Sequence, residues 1–196
     1  MENTHQEFTL LLKAYERISV RNDSEQERLY HLVIGYIAGV AAALTYVLKE
    51  FKHFQDVDPI FWIAGSIATT LYLVFYSYSS VCLIDSALYL KTIWQRLNSL
   101  HKQELVPSWD GFVPETSFKS TRKILNVVFT AWRAIALGVA ILLPFFSYKT
   151  NVLMDYVATM TLIFAIVVGG FVFIASTLYV AGSYRNLDVK KEISST

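Results

Sequence analysis

From Ile60 to about Ile84 the chain runs twenty-five residues without a formal charge, and no glycine or proline interrupts the helical pattern that follows to Leu100. A bilayer crossing needs about 20 apolar residues, so this stretch is long enough to span a membrane and leave it as a helix. Its start is marked as well. Asp58-Pro59 places an N-cap residue before a proline at the first helical position, where the missing N–H costs nothing.

Three further apolar stretches repeat the signal. Leu32 to Leu48 is seventeen residues without a formal charge, about 26 Å of helix, with Tyr30 and His31 at one interface. Ile124 to Ser147 and Tyr156 to Ser183 form a second hairpin around the short link Lys149-Thr150-Asn151. With 196 residues, 54% hydrophobic and 17% charged, the chain is expected to be one all-α integral membrane domain: four transmembrane helices in a bundle, spanning about 30–48, 60–84, 124–147 and 156–183. The first 28 residues lack a signal-peptide core, so the first apolar segment should stay as an anchor.

Lys and Arg decide the expected orientation. Thirteen lie before span one, between spans two and three, or after span four; three lie in the two opposite links; Arg133 is inside span three. The positive-inside rule then puts both termini and residues 85–123 in the cytoplasm.

The cytoplasmic segments carry apolar stripes. Thr4 and Glu7 have capping-box spacing, and Phe8, Leu11, Leu12, Tyr15 and Ile18 recur at helical steps, giving residues 1–28 an amphipathic helix that Asn22-Asp23-Ser24 should end. Ser24 and Glu27 would then start span one as a new helix. Beyond Asp85 the second span extends as a stripe of Leu90, Ile93, Trp94, Leu97 and Leu100, and Asn98 to Pro107 should end it. In LVPSWDGFVPE, Trp109 and Phe112 sit among Pro107, Gly111 and Pro114 and are expected to dock on the chain's inner helices, the headgroup layer or a partner. Residues 184–196 form a tail. Phe8, Leu11, Leu12, Tyr15, Trp94, Leu97, Trp109 and Phe112 are thus the candidate interface surface.

Within the membrane, Gly35, Gly39 and Ala43 make a small-residue ridge on span one, and Ala165 with Gly169 a second close-approach site on span four. The partner of the first ridge is another span or a second copy of the chain. Arg133 carries the intramembrane charge, at an insertion cost of about 2.5 to 3.5 kcal/mol. Counted from Ser147 it lies fourteen residues down, about 21 Å. The same depth falls on Tyr76 and Ser77 of span two and on Gly169-Gly170 of span four, whose hydroxyls and bare carbonyls can accept from a guanidinium; together with Arg133 these form the expected polar layer. Asp85 falls beyond the core by that count. Snorkelling of Arg133 to the inner headgroups is the bland alternative.

No chemistry of catalysis is legible. His5, His31, His53 and His101 are dispersed over both predicted sides, Cys82 is alone, and Asp58, Asp85 and Asp155 sit at span ends. No phosphate loop, HExxH or GxSxG occurs. No enzyme activity, cofactor or metal is expected, and a net charge of +1 does not suggest nucleic acid.

The layout through ALYLKTIWQRLNSL and LVPSWDGF resembles small bacterial membrane proteins in which a two-span hairpin runs into an inner helix, an Asn and a Trp-acid pair, followed here by two more spans. Some such four-span proteins look like membrane components of anti-phage systems, acting as sensors or membrane-disrupting effectors. The resemblance implies a bacterial inner-membrane location and a sensor or effector role; the residues themselves are read as a non-enzymatic, homo-oligomeric membrane sensor or scaffold in the lipid bilayer that meets a cytoplasmic partner through residues 1–28 and 85–123. The alternative is an oligomeric pore lined by the hydroxyl face of span two.

Overall fold

A computed structural model describes residues 2–50, 57–101, 115–148 and 152–194, with side chains over 6–50, 57–100, 127–148 and 152–183. The described residues are helical almost throughout: α1 (Glu2–Glu50), α2 (Pro59–His101), α3 (Glu115–Leu142) with a 3₁₀ turn at Leu143–Ser147, then α4 (Val152–Phe164), a π turn at Ala165–Gly169, and α5 (Gly170–Ser194). Four helical stretches are long and apolar enough to cross a membrane: Gln6–Glu50, Pro59–Leu100, Val127–Ser147 and Val152–Ser183. That supports an integral membrane protein. The loop carrying Trp109 and Phe112 lies outside the described residues.

One expected boundary is absent. Asn22-Asp23-Ser24 does not end a helix, because α1 passes through it without interruption and Thr4 is already inside the helix rather than capping it. Asn, Asp and Ser each cost at most about 0.7 kcal/mol in a helix interior, and neither Gly nor Pro is nearby to make a break cheaper. Glu25 and Arg28, at the i,i+3 spacing, approach to 4.0 Å across the same region.

The start of α2 matches its sequence signal. The Ile60 N–H donates to Asp58 Oδ1 at 2.9 Å, and the Phe61 N–H to the Asp58 carbonyl, also at 2.9 Å. These bonds satisfy N–H groups that the first turn would otherwise leave open.

The fold divides into two compact units. The first holds residues 1–28 and 82–129. In it Arg96 grips Glu7, with Nε and Nη2 both 3.0 Å from Oε1. Ile93 and Leu97 are buried beside this pair in sequence, while Leu10, Leu12, Val20 and Tyr89 stay exposed. Leu97 therefore belongs to the core of this unit rather than to an open docking face.

The second unit holds residues 29–81 and 130–196. Tyr72, Leu73, Tyr76 and Ala136 form its centre, packed by Leu29, Leu32, Val33, Tyr36, Trp132 and Leu137. Aromatic rings join three helices here. Tyr36 of α1 stacks on Tyr72 of α2 at 4.0 Å, and Trp132 of α3 donates to the Tyr72 hydroxyl at 2.7 Å. Val47, Val57 and Trp62 make a second cluster with Phe61 and Leu143.

Candidate functional site

Most hydroxyls in the apolar part of α2 face inward, Tyr78 being exposed. Ser66, Thr69, Thr70, Tyr72, Tyr76, Ser77 and Ser79 are all buried. Two of them also bond back to their own helix, Thr69 to the Gly65 carbonyl and Thr70 to the Ser66 carbonyl, the economical use of a hydroxyl inside a span.

Ser66 does something else. Its hydroxyl donates to the Ala140 carbonyl of α3 at 2.6 Å. Ala140 stands four residues before Pro144, which has no N–H, so the α-helical donor that this carbonyl would receive is missing. Without water in a bilayer core such a group must be satisfied from within the protein, and Ser66 does so. Just beyond, the chain tightens into the 3₁₀ turn, and Ser147 donates to the Pro59 carbonyl at 3.0 Å.

These anchors set the depth of Arg133. The side chain is 2% exposed. Its Nη1 donates to Ser176 Oγ on α5 at 2.7 Å, and Nη2 reaches Thr130 Oγ1 at 3.5 Å. Ser176 passes the bond on, donating to the Phe173 carbonyl at 3.2 Å. The Tyr76 phenol, buried on α2, stands near the guanidinium. The guanidinium is thus buried and held by the hydroxyls of Ser176 and Thr130, the latter one helical turn toward the start of α3.

The expected layer is therefore assembled in part. Arg133 and Tyr76 come together, and Ser77 is buried on the same stretch of α2, although its Oγ and that of Ser79 have no hydrogen-bond partner among the described residues. The place assigned to Gly169 and Gly170 is taken by Ser176, which sequence counting missed. The error has a visible source. Tyr148 and Thr159 share a hydrogen bond of 3.1 Å, so the end of span three is level with Thr159 and not with Tyr156. The π turn adds a further residue, and the long Arg133 side chain reaches back about one helical turn, to the level of Thr130, before it meets α5.

Gly169 has a different task. It is buried, and a Cβ there would stand 2.9 Å from Leu137 Cδ1, 3.6 Å from Leu73 Cδ2 and 3.8 Å from Thr70 Cγ2. Only bare backbone fits without displacing Leu137. Ala165, at the other end of the π turn, is fully buried. At Gly170 an added Cβ would meet nothing within 4 Å.

The ridge on α1 is the opposite case. Cβ atoms built on Gly35 and Gly39 meet nothing within 4 Å, and the side chain of Ala43 is only half-buried. The apolar window of this helix is 6% buried, against 44% for α2. Within the second unit, α1 packs through Leu29, Leu32, Val33 and Tyr36, which flank this stripe near its start.

Comparison with known protein families, curated proteins and solved structures finds no match for this chain.

Proposed function

We propose that the protein is a non-enzymatic membrane sensor or scaffold that assembles as a homo-oligomer and engages a cytoplasmic partner, with both termini in the cytoplasm. One observation carries this reading. α1 and α2 each run as single helices from a membrane-length apolar stretch into a charged, amphipathic one, and the two amphipathic stretches are joined by the Glu7–Arg96 ion pair. A span that ends at the membrane surface needs no such extension.

Two further features support the parts of the reading. The open Gly35–Gly39 ridge suits the close approach of a second copy, because small residues let helix backbones meet. Leu10, Leu12 and Val20 leave apolar side chains exposed on the extension of α1. The hydroxyls of α2 favour a scaffold over the pore alternative: Ser66, Thr69, Thr70 and Tyr72 are engaged inside the fold. The resemblance to anti-phage membrane components makes bacterial defence the proposed setting.

Photo-crosslinkers at Leu10 and Val20 in full-length protein, in its native membrane, test the partner. A discrete crosslinked protein, together with no dye leakage from liposomes carrying the purified chain, is the expected result. Leakage that Arg133→Leu abolishes would replace this reading with the pore.

A further inference from the structure

The π turn at Ala165–Gly169 interrupts the apolar stretch Val152–Ser183 near its middle. Such a turn holds one residue more than the α-helix it replaces. One residue is about 100° of rotation and 1.5 Å of rise. Each residue beyond the turn therefore stands where its predecessor would stand in an uninterrupted helix.

Three buried positions depend on that offset. Gly169 occupies a place where a Cβ would push the end of the Leu137 side chain aside, and a continuous α-helix would bring the bulkier Val168 there. Ser176 accepts the bond from Arg133, and a continuous helix would present Ala175, which has no acceptor. Val180 is buried, and its place would pass to the exposed Tyr179.

We propose that this turn is a one-residue register switch in span four. In the register seen here Ser176 faces Arg133; in the relaxed register the turn closes into α-helix, residues 170–183 rotate by about 100°, and Ala175 faces Arg133. The first register is held by the Arg133–Ser176 bond and by the bare backbone at Gly169. The second restores regular winding at a turn where the Gly170 N–H is now shared between the Ile166 and Val167 carbonyls. It also moves Thr177, whose Oγ1 is buried with no hydrogen-bond partner among the described residues. The device gives an intramembrane charge control over the rotation of the helix that leads to the C-terminal segment. It rests on span four crossing the membrane, not on the partner or the oligomer, so its failure is read separately from theirs.

The test uses full-length Cys82→Ala protein in phospholipid vesicles, spin-labelled through Tyr179→Cys or Val180→Cys, with oxygen accessibility as the readout. The label at 179 should be accessible and the label at 180 shielded. Ser176→Ala should exchange that pattern, since losing one hydrogen bond to a charged group changes the ratio of registers by about tenfold. Deleting Val167 removes the extra residue while leaving Gly169 and Ser176 in place, so the original pattern should return and persist even with Ser176→Ala. Ser176→Ala adds no volume, so the variant keeps the packing of the fold while removing the acceptor. An unchanged pattern in folded Ser176→Ala protein, or a pattern shifted by the Val167 deletion, overturns the switch.

Discussion

Arg133 shows what a single residue declares about itself and what it leaves to its neighbours. Its demand for acceptors was readable, because an arginine in an apolar run must find them or reach out of the core, and the sequence left that choice open. Tyr76 was readable too: Asp58-Pro59 marks where α2 begins, and the bond from Ser147 to the Pro59 carbonyl puts the start of α2 level with the end of span three. Ser176 was not, since neither the Tyr148–Thr159 bond nor the π turn has a sequence signature strong enough to correct a count along a straight helix. The Ser66–Ala140 bond makes a sharper residue-scale prediction. Ser66→Ala should lower the unfolding free energy in detergent by about 1 kcal/mol, a usual value for one such bond in a membrane protein. In Pro144→Ala protein the same change should cost clearly less, because the alanine N–H then serves the Ala140 carbonyl; equal costs in both backgrounds would refute this account.

At the scale of elements, the four apolar stretches and the cap of α2 follow from composition and from two residues, Asp58 and Pro59. The continuity of α1 does not. Asn22-Asp23-Ser24 carries three residues that favour caps and turns, yet a preference of tenths of a kcal/mol per residue yields to an unbroken ladder of backbone bonds. Asp23→Pro distinguishes the alternatives. In a continuous helix it removes a backbone bond and clashes with the preceding turn, so helical ellipticity should fall and stability should drop by about 3 kcal/mol. At a true break it would be nearly silent. The π turn is the other element that the sequence conceals, for Val167-Val168-Gly169-Gly170 reads equally well as a weak stretch of plain helix.

For the molecule as a whole, the decisive quantity is the asymmetry of Lys and Arg between the two sides. In Cys82→Ala protein, cysteines at the exposed positions Leu12 and Tyr89 should resist a membrane-impermeant maleimide in intact spheroplasts and react in inverted vesicles. A cysteine at Val152, 87% exposed, should do the reverse. Labelling of all three from one side would overturn the orientation. The assembly makes its own prediction: Gly39→Leu, placed where a Cβ has open space, should leave the folded monomer intact and dissociate the oligomer in mass photometry.

The bond from Ser66 to the Ala140 carbonyl also constrains how such a chain can diverge. A lineage that keeps Pro144 needs a donor at position 66, so serine there can give way to threonine but not to alanine or valine at the same cost. A lineage that first loses Pro144 is released, and position 66 then drifts among small residues. The order of two substitutions seventy-eight positions apart should therefore be recorded in related sequences, with proline lost before the hydroxyl and seldom after it.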